Sequence, residues 1–313
     1  MPPIIGRPGQ LKTRHFLSIT DVTPEELRAL LFGALSFKDG KESRDVKGRS
    51  LALLFEKPSL RTRLSFEVAM AQLGGHCIYL SPAEVGVGKR ESVRDVAQVI
   101  SRMVDAVAAR TFAHSTLEDL ASYGTIPVIN ALSDLEHPCQ ALADLLTLFE
   151  HQGDLAGKTI AYVGDGNNCA ISLLYASAMM GVNFRIASPP RYELPSDVLV
   201  KARKYAGDSE STVFTTNDPK TASQGADAIY TDVWASMGQE EAAAERHDAF
   251  AGFQVGEELF AAANSGAILL HPLPAHHGEE VAEGLLYQPR SAVFDQAENR
   301  LHVQKALLAA LLK

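Results

Sequence analysis

Two blocks of apolar runs alternating with helical periodicity predict an α/β fold of two domains, each a parallel β-sheet flanked by helices, linked by interdomain helices. Three observations carry that expectation. The chain has 313 residues, more than a single core comfortably spans. Short hydrophobic runs such as Ser50–Phe55 and Lys158–Val163 are each followed by a stretch of helical period. Between the blocks lies His137–His151, a helix whose Leu142, Leu145, Leu146 and Phe149 give it an apolar face suited to bridging domains.

In the first block an opening helix, Pro24–Phe37, precedes the buried strand Ser50–Phe55. Pro58 ends that strand, and Ser59 is a good N-cap for a helix to Leu73 closed by Gly74-Gly75. A short run His76–Leu80, a helix Glu91–Met103, and runs at Ala106–Ala109 and Val128–Ile129 follow. The second block begins near Gly157. It reads as strand Lys158–Val163, helix Ala170–Met180, strand Phe184–Ala187, helix Val198–Tyr205, and strands Ala228–Thr231 and Ile268–Leu270. A last helix from Gln296 to Leu312 is apolar on one face and is expected to dock as a closing element. The expected domains are residues 1–150 and 151–295, with 296–313 packing back on the first.

Composition bounds the function. A hydrophobic share of 46% with 21% charged residues is that of a globular chain. A net charge of −9 argues against nucleic acid or an anionic membrane as partner, so any anion site must be built locally. No apolar run reaches membrane-spanning length, and Met1-Pro2-Pro3-Ile4-Ile5-Gly6 lacks a signal pattern, which points to the cytoplasm. Cys77, Cys139 and Cys169 have no C-x-x-C spacing and suggest neither a disulfide framework nor a zinc site.

The most informative segment is Ser59-Leu60-Arg61-Thr62-Arg63, at the start of a helix that follows a buried strand. Free backbone N–H groups and the dipole at that N-terminus favour a phosphate, and Arg61 and Arg63 add fork-shaped donors. Cations there are unfavourable unless an anion answers them. Arg110 ends the run Ala106–Ala109, where such sheets place sites, although a strand-end arginine is often only a surface residue. His137 and Gln140, three apart at a helix start, can face one point. A neutral histidine could donate to a carbonyl oxygen and a glutamine oxygen could read an amide; capping and solvation are the alternative roles.

In the second block Gly164-Asp165-Gly166-Asn167-Asn168 lies on a strand-to-helix turn but fails as a dinucleotide fingerprint. Cys169 occupies the third glycine position, and the next strand ends in Ser188-Pro189-Pro190 rather than an acid. Asp232, with Ser236 four residues on and Met237 beside it, suits an α-ammonium at one end and an aliphatic chain at the other. Capping of the next helix is the plainer role for Asp232.

Phe55-Glu56-Lys57-Pro58-Ser59-Leu60-Arg61-Thr62-Arg63-Leu64-Ser65-Phe66-Glu67, the strand-end Arg110 and His137-Pro138-Cys139-Gln140 together resemble the carbamoyl-phosphate half of the aspartate and ornithine carbamoyltransferases. The resemblance extends through essentially the whole chain. It implies that Ser59, Leu60, Arg61, Thr62, Arg110, His137, Gln140 and, in Glu298-Asn299-Arg300-Leu301-His302, Arg300 hold carbamoyl phosphate. Asp232-Val233-Trp234-Ala235-Ser236-Met237-Gly238 resembles the acceptor loop of the ornithine branch, which implies an ornithine site of Asn168, Asp232, Ser236, Met237, Pro272 and Leu273. Two departures stand out. Gly86 occupies the place of a glutamine that many ornithine enzymes extend to a neighbouring subunit, with Lys89 or Arg90 able to substitute. Pro272 stands where ornithine enzymes usually have cysteine, a habit of the aspartate branch, although Ala275-His276-His277-Gly278-Glu279-Glu280-Val281 is again similar to the ornithine branch.

The activity this implies is carbamoyl transfer to the side-chain amine of L-ornithine, giving L-citrulline and phosphate, with Arg61, Thr62, Arg110, His137 and Asp232 carrying the chemistry. Putrescine and an N-acylornithine are rival acceptors, and a catalytically silent binding subunit is a different class of role. No metal or organic cofactor is expected, and a homotrimer is implied.

Overall fold

The structure, a computed structural model, describes residues 11–86, 90–235 and 243–312. It divides into two units, one of Met1–Leu146 with Glu298–Lys313 and one of Thr147–Ala297.

In the first unit, helix α1 (Pro24–Lys38) starts with a capping box between Thr23 and Glu26 and leads to β1 (Ser50–Phe55), buried at every position. Helix α2 (Leu60–Gln72), β2 (His76–Leu80), α3 (Pro82–Val85), α4 (Val93–Ile100), β3 (Ala106–Arg110), α5 (His114–Tyr123) and β4 (Val128–Leu132) follow, and α6 (Pro138–Gln152) crosses into the second unit. The strands pair in parallel in the order β2-β1-β3-β4, with Leu53 opposite Ala108 and Phe55 opposite Arg110. Ala52, Leu54, Val107 and Ala109 pack with Val96 and Ala97 of α4 and Leu117 and Leu120 of α5.

The second unit contains β5 (Thr159–Val163), α7 (Asn168–Met179), β6 (Asn183–Ala187), α8 (Ser196–Ser209), β7 (Val213–Thr216), α9 (Pro219–Ser223), β8 (Ala228–Tyr230), α10 (Ala243–Ala249), α11 (Glu257–Ala262), β9 (Ile268–Leu270) and the start of α12 (Val293–Leu311). Its sheet is also parallel, in the order β7-β6-β5-β8-β9. Trp234, Phe250, Phe253, Val255, Phe260 and Leu269 belong to one buried cluster.

The two parallel sheets with flanking helices are as expected. Strand β7 and helices α3, α5, α9, α10 and α11 lie beyond the sequence expectation. Strand β7 is a half-exposed edge with only Val213 and Phe214 as apolar residues, too little for a periodic signal. Helix α4 is shorter than the predicted Glu91–Met103, because the Ser92 side chain accepts from Asp95 N and starts it at Val93.

Each sheet reverses its strand order once beside its first strand. In the first sheet the chain goes from β1 outward to β2 and then returns to β3 on the other side of β1. In the second it goes from β5 to β6 and β7, then returns to β8 on the other side of β5. Ligands of open α/β sheets bind at the carboxyl ends of strands at such reversals. These are the ends of β1 and β3 in one unit, and of β5 and β8 in the other.

Candidate active site

The first unit gathers its chemistry beyond β1, β3 and β4. Ser59 caps α2, its hydroxyl accepting from Thr62 N at 3.3 Å, so Leu60, Arg61 and Thr62 form a first turn whose N–H groups lack intrahelical partners. The Leu60 side chain is 76% exposed, leaving its backbone as the group able to serve a ligand. Thr62 is buried and Arg61 half-buried; burial first, then the Arg300 charge, pull the Arg61 pKa below the ordinary arginine value. Arg110 is the last residue of β3, its carbonyl accepting from Glu56 N at 2.8 Å. Lys57, between β1 and α2, is pushed down by burial and then by Arg110.

His137 is presented by a tight turn after β4. Ser133 N donates to the Glu136 carbonyl at 2.9 Å, Glu136 N returns to Ser133 Oγ at 3.2 Å, and Glu136 accepts Ile19 N at 3.1 Å. The imidazole is 5% exposed, and burial, followed by the charges of Arg300, Arg110 and Lys57, holds its pKa well below the usual value. It is therefore neutral at ordinary pH, able to donate one hydrogen bond without charge.

Gln140 has partners that the sequence did not show. Its Oε1 already accepts from Arg300 Nη1 at 2.6 Å, while its Nε2 donates to Asp144 at 2.8 Å. Its amide both fixes Arg300 and keeps one lone pair of Oε1 for a ligand. Arg300 also donates to Thr62 Oγ1 at 3.1 Å and is only 3% exposed, so it is no surface residue. The C-terminal part of α12 is anchored within this unit by Lys38 Nζ to Asn299 Oδ1 at 2.9 Å and Lys305 Nζ to Gln72 Oε1 at 3.0 Å. Arg63, read from sequence as a second donor, instead pairs with Glu67 at 2.8 Å and lies 3.9 Å over the Tyr79 ring. Arg300, Arg110 and Lys57 thus act on a buried neutral imidazole, with Arg61 close to Arg300, an arrangement that calls for an anion of more than one charge.

In the second unit the β5–α7 turn and the residues after β8 meet. Asn167 caps α7, its Oδ1 accepting Cys169 N at 3.0 Å and Ala170 N at 3.1 Å, which turns its Nδ2 to Asp232 Oδ2 at 2.9 Å. Asn168, the residue singled out from sequence, opens the helix with Oδ1 accepting from Cys169 N at 2.9 Å. Asp232 follows β8, is 7% exposed, and its Oδ1 accepts from Val233 N at 2.8 Å. Ser236 and Met237 lie outside the described residues, as does Lys89.

After β9, Leu273 has φ of 57°, a left-handed conformation uncommon for leucine, and its N–H donates to His271 Nδ1 at 2.9 Å. With Nδ1 accepting, Nε2 is the ring nitrogen left to donate, and it faces Glu280 Oε1 at 3.1 Å. Pro272 and Leu273 are thus part of a turn held by a buried His271–Glu280 pair, a role for Glu280 that sequence reasoning missed. Its only signal was its place in the Glu279-Glu280-Val281 motif. Asn167 and Arg246 were missed too; Asn167 stood one residue before the asparagine chosen. Among the described residues, side chains able to converge on a metal are His276, Glu279 and Glu280, with donor atoms within 4.8 Å of one another.

The comparisons with known proteins match both halves. The family model for the carbamoyl-P binding domain of aspartate/ornithine carbamoyltransferase matches residues 14–150, and that for the Asp/Orn binding domain matches residues 156–311. The chain is 50% identical over 307 residues to an ornithine carbamoyltransferase of Anoxybacillus flavithermus, covering 97% of this chain and 98% of the relative. It is 52% identical over 302 residues to that of Parasynechococcus marenigrum, covering 96% and 95%. The crystal structure of ornithine carbamoyltransferase from Thermus thermophilus superposes with a TM-score of 0.88 at 49% identity, covering 96% of this chain and 99% of that one. The ornithine carbamoyltransferase of Pyrococcus furiosus does so with a TM-score of 0.93 at 47% identity, covering 97% and 98%. With both family domains matched in order along a fold that agrees throughout, the chain belongs to the aspartate/ornithine carbamoyltransferase family.

Proposed function

We propose that the protein transfers the carbamoyl group of carbamoyl phosphate to the side-chain amine of L-ornithine, forming L-citrulline and phosphate in arginine biosynthesis. One observation carries the reading: buried Arg300 joins Thr62 to Gln140 beside neutral His137, a phosphate and carbonyl site built from three separate stretches of chain. In this reading residues 1–150, with the C-terminal helix 296–313, bind carbamoyl phosphate, and residues 151–295 bind ornithine.

Arg61, Arg110 and the first turn of α2 meet the phosphate charge, with Ser59 and Leu60 contributing at that turn. Thr62, Arg110 and His137 point donors at the carbonyl oxygen that becomes anionic in the tetrahedral transition state. Arg300 and Gln140 hold the carbamoyl end. Asp232, Asn168 and Ser236 take the acceptor's α-amino acid group, and Met237, Pro272 and Leu273 its chain and terminal amine. That amine reacts as the free base: its lone pair forms the C–N bond, the bond from carbon to the bridging phosphate oxygen breaks with its electrons going to phosphate, and one amine proton passes to the departing phosphate. No covalent enzyme intermediate is needed.

A homotrimer is the assembly suggested by the family resemblance, and the cytoplasm its compartment; among the described residues no helix is long and apolar enough to cross a membrane. The test is a colorimetric ureido-product assay with carbamoyl phosphate and a panel of ornithine, putrescine and N-acetylornithine. Turnover of ornithine far above the other two is expected. Preference for putrescine, which lacks the α-carboxylate, would remove the role given to Asn168, and preference for N-acetylornithine, which lacks the α-ammonium, would remove that given to Asp232.

A further inference from the structure

Arg246 is 8% exposed on α10, and two nitrogens of its guanidinium group donate within its own unit. Its Nε donates to the Trp234 carbonyl and its Nη2 to Asp165 Oδ2, with Cζ over the Tyr192 ring, 4.7 Å from its centroid. These partners flank the two segments that matter. Asp165 begins the turn whose Asn167 holds Asp232 at 2.9 Å, and Trp234 lies two residues beyond Asp232. The turn has little room to shift: Gly166 N donates to the Tyr192 carbonyl at 2.8 Å, and a Cβ on Gly166 would meet Leu194 N at 2.6 Å.

We propose that Arg246 is a positioning residue for the acceptor: by bridging Asp165 to the Trp234 carbonyl it sets the Asn167–Asp232 pair, and thereby selects an acceptor bearing a free α-amino acid group. This rests on the function proposed above. Two features of the chemistry support it. A planar fork can satisfy two acceptors in fixed directions at once, which a lysine ammonium cannot. Asp165 is also a second carboxylate near Asp232: burial raises its pKa, Arg246 opposes that rise, and Asp232 adds to it. Without Arg246 the turn would take up a proton or move away from Asp232.

The chain's single tryptophan is Trp234, 5% exposed and stacked on Phe250 with centroids 5.9 Å apart, so intrinsic emission reports this joint directly. The variants are Arg246→Lys, Arg246→Gln, and Arg246→Gln with Asp165→Asn, the last leaving no buried charge unpaired. The expected result for Arg246→Gln is a red-shifted, more quenchable emission and an ornithine KM raised about tenfold or more, with carbamoyl-phosphate KM within about twofold. Arg246→Lys should recover only part of the KM, and the double variant should stay folded yet keep the raised KM. Unchanged emission with unchanged ornithine KM overturns the proposal. So does a parallel loss of kcat, both KM values and Tm, which would mark a purely structural residue. If the parent protein carbamoylates no α-amino acid, the assigned activity falls, and emission alone then decides whether the joint exists: a shift in the variants supports it and no shift overturns it.

Discussion

Arg300 donates to Gln140 Oε1 at 2.6 Å across 160 positions of sequence. That bond, with the 3.1 Å contact to Thr62, joins the final helix to two residues of the proposed anion site, so it is more than a closing element. Arg300→Lys keeps the charge but cannot reach both partners. Carbamoyl-phosphate affinity should fall by about 1–2 kcal/mol, roughly 5- to 30-fold, read by calorimetry, while ornithine KM at saturating carbamoyl phosphate stays put. Equal affinity in the variant would remove Arg300 from the ligand's shell.

Arg61→Ala should abolish turnover without unfolding the protein. The guanidinium is half-buried beside Arg300, so its removal relieves repulsion instead of breaking a core contact. Binding of carbamoyl phosphate should weaken by about 1.5–3 kcal/mol, the range for a hydrogen bond to a charged group. Thermal denaturation should show Tm equal to the parent's or higher; a large drop would mean the side chain serves the fold.

Asp232→Asn removes the charge but preserves shape and leaves Asn167 a polar partner. Ornithine binding should weaken by about 1.5–3 kcal/mol and carbamoyl-phosphate binding hardly at all. Titrating each ligand separately distinguishes this from a general collapse, in which both would weaken together.

Cys139 is fully buried with its thiol pushed up to about 12 by burial, and its Sγ donates to the Asn130 carbonyl at 3.6 Å. A thiol so rarely ionised is a poor nucleophile. Iodoacetamide at pH 8 should leave activity intact, and Cys139→Ala should turn over ornithine like the parent. Collapse of turnover in the variant, with carbamoyl phosphate still bound, would show a cysteine taking part despite Pro272.

Stability should fall on acidification. His137 in the folded protein has a pKa held well below its ordinary 6.5. Between those two values the unfolded chain binds a proton that the folded one does not, so stability rises with pH and is lost as pH falls through about 6.5, by up to about 1.4 kcal/mol per unit for one histidine. Tm measured from pH 5 to 8 should climb and then flatten, and His137→Asn should reduce the slope.

The candidate anion site was more fully legible in the sequence than the candidate acceptor site, for a physical reason. Ser59 to Thr62 lie in one helical turn, so local spacing alone brings them together, and His137 and Gln140 share another. Asp232 and Asn167 meet only because β8 returns beside β5, and Arg246 reaches Asp165 only once α10 has packed. The same limit hid the second partner of Gln140, since no local pattern connects it to Arg300. Strand β7, half-exposed and weakly apolar, left no periodic trace.

Because each sheet reverses order once, every group proposed for the acceptor hangs on connections after β5, β8 and β9, and none of the groups proposed for the phosphate does. Such a chain can be re-specified piecewise. Exchanging the Asp232 and His271–Glu280 loops for those of another amine's enzyme would alter which nucleophile is accepted while leaving the electrophile's half chemically intact, so new specificities are reachable through loop grafts without rebuilding either core.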